Sequence, residues 1–412
     1  MRVIAWTDRR ALEQLAARDE AGRTAIRRDA ARIVRDVARR GDAAVRDWTR
    51  RLDGRSVNGR FALTRREIER GWSATPRPVR QAIRTALRHV EKVAEQQRPR
   101  AFSLVVTPGV RVEQRVAPLR AIGCYVPGGR HPLVSTLLMT AIPARVAGVR
   151  DITVACPNPA PAVLCAALEA GATRVLRIGG AQAIAALAYG TTSIPRVDKI
   201  VGPGNAWVAA AKAIVSSVAS IDLHAGPSEI VIVSDENRPD WIAADLIAQA
   251  EHDPAARAVF VTTRRPLGAA VAREITRQMP PDGPARRALR RHGAIVVARN
   301  RRDAFDLVNR LAPEHVVCDR PEDARRVLTA GTVFVGPWSA QASGDYATGS
   351  NHVLPTSGAG RFRGGLTTAD FVRVFTVQTL TRRGLRSIGP TAIALANAEG
   401  LTAHTESIRI RL

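Results

Sequence analysis

Through the first hundred positions, apolar residues recur three and four apart. Beyond them the chain switches to short apolar runs alternating with longer apolar stretches. In RRDAARIVRDVARRGDAAVRDWTRR, residues 27–51, arginines fill the gaps between apolar positions. That spacing predicts amphipathic helices over about residues 8–100, with the arginine faces in solvent. Gly41-Asp42 predicts a break, with Asp42 as cap of the next helix. From about residue 120, AIGCYV predicts a strand ending in Pro127-Gly128-Gly129. LVSTLLMTAIPARVAG (helix), DITVAC (strand), PAVLCAALEAG (helix), RVLRIGG (strand), AQAIAALAYG (helix) and VDKIVGPG follow. A second alternation runs through EIVIVSD, WIAADLIAQAEH, RAVFVTT, LGAAVAREITRQM, AIVVARN and TVFVG. Strands alternating with helices of this length imply crossover units and parallel sheets, hence an α/β fold. After about residue 366 the pattern predicts a helix, a turn and a polar arm ending in SIRIRL.

Length and composition refine this picture. The 412 residues exceed one ordinary core, which implies two or more domains. Apolar residues make up 45% but aromatics only 4%, so the cores must be built from Ala, Val, Leu and Ile. The start, MRVIAWTDRRALEQ, lacks the apolar centre of a secretory leader, and no uncharged run is long enough to span a bilayer. Cys124, Cys156, Cys165 and Cys318 form no CxxC pair. A reducing cytoplasm is the expected location. The net charge of +25 raises a nucleic-acid partner. Nearly all of it is arginine, with Lys92, Lys199 and Lys212 the only lysines, and the arginines are spread along the chain. Arginine replacing lysine at solvated positions explains that pattern without a nucleic-acid partner.

Candidate chemistry gathers at strand ends and in polar loops. Gly179-Gly180 before Ala181-Gln182, and Gly202-Pro203-Gly204-Asn205, are glycine turns entering helices. Such turns let backbone N–H groups approach a phosphate, although tight strand-to-helix packing accounts for them equally well. Tyr125 precedes the PGGRHP turn, where its phenol could face a nucleotide or be a structural core group. Gln249 and His252 are three apart at the end of a predicted helix, which puts both on one face. Asp345 and His352 share the polar segment SGDYATGSNHVLP, and His404 lies in LTAHTE. Oxygen and nitrogen donors of these types suit zinc, though spacing alone does not bring them together. Glu314-His315 in APEHV could serve as two proton-transfer groups, or could open a helix.

Nine segments in order carry a resemblance: GCYVPGG, GGAQAIAALAYGT, VDKIVGPGNAWV, AGPSEIVIV, AQAEHDP, LAPEHV, SGDYATGSNHVLPT, LTTADFVRVFTVQ and EGLTAH. Together, over about residues 20–408, they closely resemble the signature segments of the histidinol dehydrogenase family. The resemblance implies zinc held by Gln249, His252, Asp345 and His404, and proton transfer by Glu314 and His315. It implies substrate contacts from Ser228, Gln249, His252, His315, Asp345, Glu399 and His404, with His352 in support. NAD would lie against Tyr125, Gln182 and Asn205. The implied fold is two Rossmann-like α/β domains, both incomplete dinucleotide-binding folds. The expected division is a helical segment 1–20, a first domain 21–124 with 230–366, a second 125–229, and a dimerisation arm 367–412. That arm would complete the site of the other subunit in a homodimer. The implied reaction oxidises an amino alcohol, L-histidinol, to an acid through a bound aldehyde, with NAD used twice. The alternative is a relative acting on another polar alcohol such as a sulfonated diol, against which the Glu399 carboxylate argues. A thiohemiacetal on Cys124 is the alternative route through the aldehyde. His131 and His224 stand where the family more often has a small residue and a proline.

Overall fold

The computed structural model describes residues 1–17, 23–54, 56–57, 59–128, 133–223, 226–236 and 238–412, so His131 and His224 lie outside it. A short strand, β1 (Arg2–Ala5), opens the chain. Helices α1 (Arg9–Ala16), α2 (Arg23–Arg40), α3 (Asp42–Asp53), α4 (Arg65–Ala74) and α5 (Arg77–Gln96) follow. The helical spacing holds: Ile33, Val34, Val37, Ala44 and Val45 are buried, while Arg32, Arg35 and Arg39 face solvent. Asp42 does not cap α3. Gly41 occupies the cap position, and the Asp42 carboxylate instead accepts from the Ser193 hydroxyl at 2.5 Å.

An antiparallel pair comes next, β2 (Phe102–Thr107) and β3 (Val110–Pro118). Then the first predicted alternation appears as β4 (Ala121–Tyr125), α6 (Val134–Ala147), β5 (Asp151–Ala155), α7 (Pro161–Ala170), β6 (Arg174–Leu176), α8 (Gly180–Tyr189), β7 (Lys199–Val201), α9 (Ala206–Val215) and β8 (Ser220–Ile221). Its strands form a parallel sheet in the order β6-β5-β4-β7-β8. The second alternation comprises β9 (Glu229–Val233), α10 (Pro239–Ala250), β10 (Arg257–Thr262), α11 (Arg265–Gln278), α12 (Pro284–His292), β11 (Gly293–Val297), α13 (Arg301–Leu311), β12 (His315–Cys318), α14 (Pro321–Ala324), β13 (Thr332–Val335) and α15 (Gln341–Gly344). These strands and β1 form a six-stranded parallel sheet, β1-β11-β10-β9-β12-β13. In each sheet the first strand of the alternation, β4 or β9, is flanked on one side by the second and on the other by the fourth. The gap between those neighbours is the topological switch point where open α/β sheets receive ligands.

Three expectations are corrected. Residues 2–5 are not helical: Val3 and Ile4 pair with Ile295 and Val296, so the chain starts as an edge strand of the larger sheet. Beyond a single 3-10 turn at Thr368–Phe371, residues 372–380 are not a helix: β14 (Val372–Leu380) pairs along its length with β3 in a three-stranded antiparallel sheet, before α16 (Arg382–Ala398) and α17 (Thr402–Arg409). Nor do residues 23–96 join the six-stranded sheet, as the expected grouping of 21–124 with 230–366 requires. They cover the five-stranded one, with α2 against α8 and α9, α4 against α7, and α5 against α6 and α7. The reason lies in the partners' surfaces. The α7 and α8 sequences, PAVLCAALEA and GAQAIAALAY, are rich in alanine, and such small side chains let apolar stripes approach closely.

The switch point of the five-stranded sheet is tightly closed at its base. Gly202, just after β7, takes φ +112°, and a Cβ there would meet the Tyr125 carbonyl oxygen of β4 at 2.1 Å. Both backbone conformation and space therefore require glycine. Gly202→Ala should lose roughly 2–3 kcal/mol of stability, measured by urea denaturation. A loss below about 0.5 kcal/mol, the range of an innocuous surface change, would show that the two strand ends are not held so closely.

Candidate functional site

The backbone of Glu229, at the amino end of β9, organises one side of the site. Its N–H donates to Glu314 Oε2 at 3.0 Å. Its carbonyl lies 3.1 Å from His315 Nδ1. A carbonyl can only accept, so Nδ1 carries the proton and Nε2 is left as the lone-pair nitrogen. His315 starts β12, which runs parallel to β9 with His315 opposite Ile230. The pair therefore opens a strand, not a helix. Both side chains are nearly fully buried. Burial pushes Glu314 well above the ordinary carboxylate range, with the nearby Glu229 and Asp345 carboxylates adding to it. Burial also lowers His315 to about 4, so it is a neutral imidazole at pH 7. Glu314 Oε2 and His315 Nδ1 are 3.6 Å apart, too far for a good hydrogen bond. A carboxyl raised by burial and a neutral imidazole thus stand side by side, both shielded from solvent.

The other side comes from α10 and the polar loop after α15. Gln249 lies in the last turn of α10, whereas His252 falls two residues beyond the helix, so the expected single helical face is only half realised. The two remain adjacent, because His252 N–H reaches the Gln249 carbonyl at 3.4 Å. Gln249 is fully buried, and neither of its amide atoms has a hydrogen-bond partner among the described residues. Asp345 Oδ2 lies 3.8 Å from His252 Nε2 and accepts from Gln341 Nε2 at 3.4 Å. His352 Nδ1 donates to the Asp345 carbonyl at 3.0 Å and its Nε2 faces the Thr136 hydroxyl of α6 at 3.5 Å. Asn351 Nδ2 donates to the Met139 carbonyl at 2.7 Å, and His89 Nδ1 contacts the Ala347 carbonyl at 2.6 Å. The loop carrying Asp345 is thus pinned to α5 and α6. His315, Asp345, Asn351 and His352 line one small cavity with Thr332 and Phe334. Ser228 immediately precedes Glu229 and is partly buried.

Two predicted residues are not brought in. Glu399 ends α16 and His404 lies on α17, both exposed. Among the described residues, no three His, Cys, Asp or Glu groups gather as a metal site. The donors that do meet are His252 and Asp345, and the Gln249 amide three residues before His252 is buried without a partner. A buried amide without a partner costs free energy, and an oxygen–nitrogen donor set of this type fits zinc.

The residues expected around NAD lie at the carboxyl ends of the five-stranded sheet. Tyr125 ends β4, and its buried hydroxyl accepts from the Gly180 N–H at the start of α8 at 3.1 Å. Burial raises the phenol to about 12, so it stays protonated. Gln182, in the first turn of α8, is fully buried with neither amide atom bonded among the described residues. Asn205 caps α9, its side chain accepting from the Val208 N–H at 3.1 Å. The orphaned Gln182 amide at a switch point, between two glycine turns, fits a dinucleotide. Cys124 is buried in β4 and pushed up to about 12, with desolvation the main cause. A thiol so held is not a nucleophile near neutrality, which removes the structural basis for a thiohemiacetal. A groove of about 940 Å³, lined by Arg32, Arg35, Arg39 and Arg51 beside Trp48, lies apart on α2 and α3. It has no acid–base pair and is not the reaction site.

Residues 16–412 match the family model described as histidinol dehydrogenase. The chain belongs to the histidinol dehydrogenase family. It is 45% identical over 393 residues to the histidinol dehydrogenase of Methanothermobacter thermautotrophicus, covering 92% of both chains. It is 42% identical over 416 residues to that of Brucella melitensis, covering 97% of both. The crystal structure of histidinol dehydrogenase from Elizabethkingia anophelis superposes with a TM-score of 0.94 at 30% identity, over 100% of this chain and 98% of that one. This histidinol dehydrogenase family member also contains Glu229, whose backbone holds Glu314 and His315. Sequence reasoning missed it, because any residue could supply those peptide groups and only the β9–β12 register identifies it.

The neutral His315 predicts a stability change with pH. Its folded pKa of about 4 lies below the ordinary 6.5, so the unfolded chain binds a proton that the folded chain refuses. Stability contributed above pH 6.5 is lost as pH falls toward 4, by up to about 3 kcal/mol for metal-free protein. His315→Asn should show a shallower loss than the parent between pH 7 and 5 in urea titrations. Parallel curves would mean that His315 is already charged.

Proposed function

We propose that this chain oxidises L-histidinol to L-histidine through bound L-histidinaldehyde, using two NAD+, in histidine biosynthesis in the cytoplasm. The observation that carries this reading is the buried Glu314–His315 pair near Asp345 and His252, in a chain matched to the family almost end to end. Gln249, His252, Asp345 and His404 would hold zinc, whose charge would orient the amino alcohol. Tyr125, Gln182 and Asn205 would hold NAD, which accepts the two hydrides.

His315 acts first. Its Nε2 lone pair takes the alcohol proton as hydride leaves the carbinol carbon, giving the aldehyde. Hydride can leave a second time only from a tetrahedral carbon bearing hydrogen, so water must add. Ionised Glu314 takes a proton from that water as it adds, while His315 returns its proton to the aldehyde oxygen, giving the hydrate and a neutral imidazole again. His315 takes the proton of the resulting hydrate hydroxyl as the second hydride leaves, giving the acid. Ser228, Gln249, His252, Asp345, Glu399 and His404 position the substrate, and His352 supports Asp345.

The protein acts as a homodimer. The sheet β14-β3-β2 exposes Phe102, Leu104, Val105, Val374 and Phe375. Apolar strands left so exposed favour association, and a second copy of this chain is the occupant. His404 and Glu399, exposed on the arm, would then enter the other subunit's site. Among the described residues no helix is long and apolar enough to cross a membrane.

Histidinol with NAD+ should yield NADH and histidine, a chelator should stop the reaction, and zinc should restore it. Turnover of a sulfonated diol in preference to histidinol would overturn the substrate assignment. Glu314→Gln should slow aldehyde oxidation by about 10²-fold or more while alcohol oxidation falls less; equal loss in both half-reactions would remove the water-activating role. Mixing Gln249→Ala and His404→Ala chains should recover activity that neither has alone. Verified heterodimers that stay inactive would rule out a site shared between subunits.

A further inference from the structure

We propose that the buried Lys212–Asp222 ion pair is a positioning device that holds the Gly202 turn in the form that receives the dinucleotide. It rests on the reading that the carboxyl ends of β4 and β7 bind NAD. Lys212 lies on α9 and Asp222 just beyond β8, and their side chains are 3% and 1% exposed. Lys212 Nζ is ion-paired with Asp222 Oδ1 and donates to the Gly202 carbonyl at 2.9 Å. Asp222 Oδ2 accepts from the Gly202 N–H at 2.7 Å, and Oδ1 accepts from the Leu223 N–H at 2.6 Å. Both peptide groups of Gly202 are therefore tied to one charge pair, which joins the turn after β7 to α9 and to the end of β8.

Stability alone does not account for such an arrangement. Removing two charges from water is costly, and a well-packed apolar pair of similar volume generally stabilises a core as well or better. What the pair adds is direction: each charge fixes one polar group of a residue whose φ of +112° lies in the left-handed region. The choice of cation points the same way. Of 62 basic residues only three are lysine, and two of these, Lys199 and Lys212, are buried ion-paired side chains on β7 and α9. A compact ammonium fits between Asp222 and the Gly202 carbonyl, whereas a planar guanidinium needs a wider space. Asn205, the cap of α9, lies three residues after Gly202, so a shift of the turn would move it and the helix N-terminus together.

The test uses the full-length zinc-loaded dimer. NAD+ affinity is read by calorimetry, backbone protection by hydrogen exchange, and folding by thermal denaturation. Lys212→Met/Asp222→Leu removes both charges together, and Asp222→Asn alone keeps the shape. Expected are folded variants that bind NAD+ about tenfold or more weakly, with faster exchange at 199–209 and unchanged histidinol affinity. If the double variant does not fold, Asp222→Asn decides by the same criterion. Variants that are less heat-stable yet bind NAD+ as the parent does would overturn the clamp and leave a purely structural pair. NAD+ giving the parent chain no added protection at 199–209 would overturn the site reading beneath it.

Discussion

The backbone of one residue holds the Glu314–His315 pair. At the amino end of β9, Glu229 turns its N–H to Glu314 and its carbonyl to His315. The parallel register of β9 with β12, His315 opposite Ile230, puts those side chains within reach. The carbonyl fixes the imidazole tautomer, and the N–H gives the buried carboxyl its one backbone donor. Burial does the rest, raising the acid and lowering the imidazole, which is left neutral. Backbone groups cannot rotate away as side chains can, so this control of protonation is built into the sheet itself.

The two parallel sheets share a strand order but are used at opposite ends. In the five-stranded sheet, Tyr125, Gly202 and Asn205 stand at the carboxyl ends, where a switch point normally takes a ligand. In the six-stranded sheet, Glu314 and His315 stand at the amino ends. Its carboxyl-end crevice is filled from within. Arg301 pairs with Asp235 at 3.0 Å, with Asp319 at 3.5 Å and with Asp323, while Asp235 also accepts from Thr262 and Thr263. A guanidinium ringed by three carboxylates leaves that crevice no uncompensated positive charge to attract a dinucleotide's phosphates. On the reading proposed above, the five-stranded sheet would then hold NAD for both hydride transfers in turn.

The alternation from residue 121 to 335 was legible because parallel strands buried on both faces read as continuous apolar runs: β4 and β9 are buried at every position. The antiparallel sheet was not. Its strands are mostly exposed, so apolar Phe102, Leu104, Val374 and Phe375 obey no burial pattern within one chain. Strand β1 is four residues long, with three of them exposed or partly so, which gives periodicity nothing to work on. At the site, residue types were legible and distances were not. His252 and Asp345 are separated by nearly a hundred residues, and they meet where the 345–352 loop is pinned to α5 and α6. Asp222 and Lys212 carried a fainter signal, as charges inside apolar strand and helix segments.

The same contrast bears on the arm. A single chain presents two unfinished features: a donor set of Gln249, His252 and Asp345 that stops short of four, and a helix carrying an exposed His404. The link between them is β14, held to β3 along nine residues, so the arm is fastened to the body and cannot swing freely to its own site. A rigid mount is a disadvantage for closing a site within one subunit and an advantage for closing one across a two-fold axis. In an isologous dimer each arm finds the same complementary surface, and the exposed apolar strands beside it supply the area that keeps it there. In the proposed homodimer the last zinc ligand would be placed by association and not by the folding of one chain, and assembly of the metal site would depend on protomer concentration as dimerisation does.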